Sequence, residues 1–105
     1  MDTLARLEQT IAVRIASGDA GASYVAQLHA RGLPVIARKL GEEAVEAIVA
    51  ALGGSREELT SEAADLLFHL LVLLGAKGVP LVDVLAELDR RDGTSGLEEK
   101  ASRSQ

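Results

Sequence analysis

A chain of 105 residues is long enough for one domain with a modest core. It has no cysteine, which excludes disulfides and thiol chemistry. The net charge of −5, with one Phe, one Tyr and no Trp, leaves no excess of cations for a phosphate backbone and few rings for base stacking, so nucleic acid is not an expected partner. The N-terminal stretch carries Asp2 and Glu8 and lacks the apolar core of a signal peptide. The longest apolar run, 63–76, is broken by Asp65 and His69 and is too short to cross a bilayer. A cytoplasmic protein with no membrane partner is expected.

In chain order, Leu4, Leu7, Ile11 and Ile15 are spaced by three or four, which predicts an amphipathic helix over 3–16. Glycines at 18 and 21 end it. Ser23 caps a short helical segment over 23–31, Gly32 breaks it, and Pro34 suits the first turn of a helix over 34–52. After Gly53-Gly54, Ser55 and Glu58 have the spacing of a capping box and open a helix to about 76. Pro80 starts a further helix over 81–91, with Leu81, Val84, Leu85 and Leu88 on one face. Beyond Gly93 the apolar content falls away. The domain is expected to occupy 1–93, and 94–105 to be a polar tail, flexible or at most one helical turn over 95–101. No stretch reads as a strand. The fold expected is an all-α antiparallel bundle.

The helix after Ser55 is unusual. Glu58, Glu62, Asp65 and His69 form one narrow stripe, and apolar residues fill nearly every other direction. Such a helix must be buried almost all round, and four or five short helices cannot enclose one of their own number. A homodimer whose interface belongs to the core is the expected remedy.

The helix before it carries a second stripe, Lys39, Glu42, Glu43 and Glu46, and residues three or four apart point the same way. For these glutamates alone a solvated face is the simpler reading, and Glu57 and Glu58 read as charges favoured by a helix N-terminus. Asp65 and His69 sit in AADLLFHLLVLL, where hardly any solvated face exists. His69 is expected to support Asp65 one turn back rather than to bind metal. Together the stripes would bring four or five carboxylates into one small volume, where mutual repulsion calls for a cation. A hard divalent ion such as Mg²⁺ fits oxygen ligands and leaves positions for phosphate oxygens and water. The chemistry indicated is cleavage of a phosphate anhydride.

The motif EEAVE followed by EAAD resembles the MazG-like all-α nucleotide pyrophosphohydrolases. SYVAQL, RKLGEEAVE, EAADLLFHLLVLL, VLAELDRRDG and SGLEEKASR are similar, over nearly the whole chain, to the phosphoribosyl-ATP pyrophosphohydrolase family of histidine biosynthesis. The resemblance implies hydrolysis of 1-(5-phosphoribosyl)-ATP to phosphoribosyl-AMP and pyrophosphate by a Mg²⁺-dependent homodimer. It implies Glu43, Glu46, Glu62 and Asp65 as metal ligands and catalytic residues, with Glu42 lining the site or positioning water. For the substrate's phosphates and ribose it offers Lys39, Arg38, Ser23 and Tyr24. Arg90 and Arg91 are read equally as phosphate contacts or as cations favoured by a helix C-terminus. Val25, Gln27 and His29 stand where the family's usual form has Thr, Lys and an aromatic residue. Two other readings stay open on the residues alone: a housecleaning hydrolase of other nucleoside triphosphates, and a non-catalytic helical dimer.

Overall fold

The computed structural model describes residues 2–103, and among them there are helices and no strand. Helix α1 (Thr3–Ser17) is capped by Asp2, whose carboxylate accepts the Ala5 N–H at 2.8 Å, and it ends at Gly18 in the left-handed region, φ 65°. Helix α2 (Tyr24–Arg31) is capped by Ser23 and buries Val25, Ala26 and Leu28. Helix α3 (Leu33–Gly53) has Pro34 in its first turn, and helix α4 (Arg56–Ala76) opens with the expected cap, the Glu58 N–H donating to Ser55 Oγ at 3.1 Å.

α3 and α4 pack as an antiparallel hairpin, and α1 and α2 lie against it. The turn between them is tight: a Cβ at Gly54 would stand 3.0 Å from the Ala50 carbonyl oxygen. The buried residues of α3 are Ile36, Glu43 and Ala50. They are seven apart, close to two helical turns, so a carboxylate occupies the same seam as the core residues. The core joins Ile11, Leu28, Ile36, Leu71 and Val72. Where α1 crosses the end of α4, a Cβ at Gly75 would meet Ile15 and Ile11 at 3.3 and 3.4 Å, so the glycine permits this close approach. A cleft of about 590 Å³ between α1 and that end of α4 is lined mainly by apolar side chains and contains none of the stripe carboxylates.

Helix α5 (Leu81–Arg91) is fastened at its first residue, where Leu81 is buried and its N–H donates to the Glu8 carboxylate at 2.6 Å. Leu85 and Leu88, expected on its apolar face, remain exposed. The tail forms helix α6 (Gly96–Arg103), with Glu98 N–H donating to Ser95 Oγ at 3.0 Å; residues 104 and 105 lie outside the described residues.

The radius of gyration is 15.8 Å, against about 13 Å for a compact domain of this size. Much of α4 is also uncovered, with Leu59 and Leu67 exposed, and α3 presents Val45, Ile48, Val49 and Leu52 as one open stripe. The apolar run 63–76 is part of the longer helix α4, which by length and composition alone reaches the dimensions of a membrane span. Its Glu62 and Asp65 turn toward carboxylates of α3, as befits the core helix of a bundle.

Candidate active site

The α3–α4 hairpin brings one carboxylate oxygen each of Glu43, Glu62 and Asp65 within 4.8 Å of one another. Glu43 is buried, Glu62 half-buried and Asp65 exposed, so the cluster runs from the core to an open mouth. Burial raises the pKa of both Glu43 and Glu62, and the adjacent Glu46 carboxyl raises both further. Glu46 therefore joins the group from the solvent side. Next to it a cavity of about 390 Å³ is lined by Glu46, Glu58, Glu62 and the small residues of the α3–α4 turn.

Glu43 Oε2 and Glu62 Oε2 are buried and have no hydrogen-bond partner. Orphaned carboxylate oxygens in a seam are costly. The donor set is all oxygen and all acidic, with neither Cys nor His directed into it, which fits a hard divalent cation. Glu43, Glu62, Asp65 and Glu46 are the residues that could hold one.

Glu42 is not among the three converging residues. It lies outside the seam, 3.3 Å from Lys39 Nζ and 3.7 Å from Arg38 Nε. The hydrogen bond to Glu42, and then the nearby Tyr24, raise the pKa of half-buried Lys39. His69 is buried and adjoins the site, and its expected bond to Asp65 goes to the main-chain carbonyl, at 2.7 Å from Nδ1, rather than to the carboxylate. Its Nε2 lies 3.0 Å from the Tyr24 hydroxyl. The Tyr24 ring stacks on Phe68, centroids 6.1 Å apart, and Phe68 meets His69 edge-on at 5.2 Å. Ser23 Oγ accepts the Ala26 N–H at 3.2 Å.

Arg90 and Arg91 are occupied by carboxylates of their own helix and of α6. Arg90 forks onto Glu87 at 2.7 and 3.0 Å and also reaches Glu99 at 2.7 Å, and Arg91 reaches Glu87 at 3.1 Å. Two structural features carry no signal in the sequence. Phe68 was one apolar residue among many in its helix. Glu99 sat in a polar tail with no periodic signal to mark it as buried.

Residues 4–92 match the model of the family described as phosphoribosyl-ATP pyrophosphohydrolase. Curated relatives named phosphoribosyl-ATP pyrophosphatase are similar over nearly the full chain. The one from Rhizorhabdus wittichii is 65% identical over 101 residues, covering 96% of this chain and 94% of its own. Those from Novosphingobium aromaticivorans and Erythrobacter litoralis are each 64% identical over 103 residues, covering 98% of this chain and 95% and 98% of theirs. With its paired acidic helices and this extent of similarity, the chain belongs to the phosphoribosyl-ATP pyrophosphohydrolase family.

Proposed function

We propose that this chain hydrolyses 1-(5-phosphoribosyl)-ATP to 1-(5-phosphoribosyl)-AMP and pyrophosphate, the second step of histidine biosynthesis, at the carboxylate cluster between α3 and α4. The observation that carries the site assignment is the pair of orphaned, buried oxygens on Glu43 and Glu62 beside Asp65. Glu43, Glu46, Glu62 and Asp65 would hold a divalent cation, Mg²⁺ in this reading. When bound, the ion supplies charge neutralisation for the phosphates and polarises water.

The chain's own residues account for the rest. Lys39 feels the charge of Glu43, and an incoming phosphate would compete with Glu42 for it. In this reading Glu42, once released from Lys39, would position the attacking water and take up its proton. The water oxygen bonds to phosphorus, the P–O bond of the anhydride breaks, and its electron pair leaves with pyrophosphate. Arg38 is exposed beside the same carboxylate and adds positive charge at the mouth. Arg90 and Arg91 would have to exchange Glu87 and Glu99 for phosphate.

We read the enzyme as a cytoplasmic homodimer. The open stripe Val45, Ile48, Val49 and Leu52, with Leu52 84% exposed, is a contiguous apolar face on the helix that carries half the site. In sedimentation the protein should run as a dimer at micromolar concentration, and Ile48→Asp should shift it to monomer. A stable wild-type monomer would sink this reading. Pyrophosphate release should be far faster from phosphoribosyl-ATP than from ATP or dUTP. Equal turnover of all three would point to a housecleaning enzyme, and none at all to a non-catalytic dimer.

A further inference from the structure

Ser23 and Tyr24 begin α2 beside the site, and both hydroxyls are engaged within the fold. Ser23 Oγ caps its own helix. Tyr24 is tied to α4 through His69, and the chemistry of that tie fixes its direction. The Asp65 carbonyl can only accept a hydrogen bond, so His69 Nδ1, 2.7 Å away, carries the ring proton. In the neutral imidazole Nε2 is then a lone pair, and the Tyr24 hydroxyl 3.0 Å away donates its single proton to it. His69 is only 5% exposed and lies edge-on against both Phe68 and the Tyr24 ring, which stack on each other, so ring packing as well as hydrogen bonds holds the arrangement.

We propose that Tyr24 is a positioning residue that acts through His69 on the Asp65 turn of α4, and that its hydroxyl does not donate to the substrate. The inference rests on the carboxylate cluster being the reaction site. Asp65 is its exposed member. The Tyr24–His69–Asp65 chain ties the backbone at that position to α2. It thereby holds the Asp65 carboxylate in register with Glu43 and Glu62. Interactions that orient a metal ligand from behind commonly govern affinity for the ion, and here the orientation would be imposed through the Asp65 main chain.

The test uses the full chain with Mn²⁺ as the probe, at pH 8. Two-bond ¹H–¹⁵N correlation should show His69 with its proton on Nδ1; a proton on Nε2 instead would overturn the proposal. Tyr24→Phe keeps the ring stack and removes the hydroxyl. His69→Asn keeps a donor where Nδ1 stood and removes the acceptor for Tyr24. Each should weaken Mn²⁺ binding about tenfold, leave KM for phosphoribosyl-ATP at saturating Mn²⁺ within about twofold, and lose no more in combination than in the worse single variant. Losses that multiply would show that the two residues act independently. A raised KM in Tyr24→Phe, with Mn²⁺ affinity intact and His69→Asn harmless, would show direct contact between Tyr24 and substrate. Mn²⁺ affinity and the tautomer are both read without turnover. A wild-type chain that meets them but releases no pyrophosphate therefore overturns the substrate assignment alone.

Discussion

Glu43 and Glu99 are equally hidden, each 7% exposed, and the fold treats them in opposite ways. Around Glu99, on α6, stand Arg90 at 2.7 Å, Arg91 at 3.8 Å and Arg103 at 3.9 Å. Arg90 and Arg91 also hold Glu87, whose pKa falls to about 2 under their hydrogen bonds. Around Glu43 the neighbours are further carboxylates, its Oε2 has no partner, and its pKa is raised by burial and by Glu46. The two nearest basic side chains on α3, Arg38 and Lys39, turn to Glu42 instead.

The difference separates a carboxylate used as a fastener from one left without a partner, as the proposed metal site would require. α6 has little else to hold it, since its Leu97 is 83% exposed, and ion pairs do the docking. Had the α3–α4 seam needed only to be closed, an apolar residue or an arginine would have served it better than unpaired glutamates. The proposed function supplies a reason for that destabilising arrangement, a cation that would come from outside the chain.

The comparison can be broken most directly through activity. Glu46→Gln or Asp65→Asn should lower pyrophosphate release by roughly 10²-fold or more. The metal-free protein should keep or gain thermal stability, because a like charge has been removed from the cluster. Full activity in both variants would overturn the site assignment. A second, smaller effect is linkage. Mg²⁺ at a hundred times its Kd should add about 2.7 kcal/mol to wild-type stability, and calorimetry should find that gain lost in Asp65→Asn but retained in Glu99→Gln.

Glu99→Gln should act locally at the other cluster. Amide exchange in α6 should speed up about tenfold, the scale of one charged hydrogen bond, with the α3–α4 amides unchanged. The smallest effect is in the pH profile of metal-free stability. Glu87 lies below its ordinary 4.5, at about 2, so its contribution is complete above 4.5 and is lost as pH falls toward 2. Glu43 and Glu62 are raised, so their pocket is most favourable to folding below 4.5 and loses stability as pH rises through their folded values. Glu87→Gln should flatten the acid limb in a thermal-melt series, and Glu43→Gln the opposite one.

Much of this was legible in the residues. The three-and-four spacing of apolar positions located the helices, and Ser55 with Glu58 marked the start of α4 to the residue. The two acidic stripes pointed to one pocket because helix geometry leaves residues three or four apart on one face. What the stripes could not decide was which of two adjacent glutamates enters the seam. Glu42 and Glu43 differ by about 100° of rotation, and only the packing of α3 on α4 turns Glu43 inward with Ile36 and Ala50 and leaves Glu42 to Lys39.

The sequence by itself determined an all-helical fold, the approximate ends of its first five helices, and two acidic stripes of which the second lies in an apolar setting. Those properties depend on local periodicity and composition, which the chain carries in every short window. Tertiary structure alone decided who pairs with whom. It sent the arginines of α5 to Glu99 across the Gly93 turn, directed His69 to a carbonyl and to Tyr24, and left one buried oxygen each of Glu43 and Glu62 without a partner. Such pairings join residues from separate helices, and their energies depend on distances of a few ångströms that no local pattern encodes.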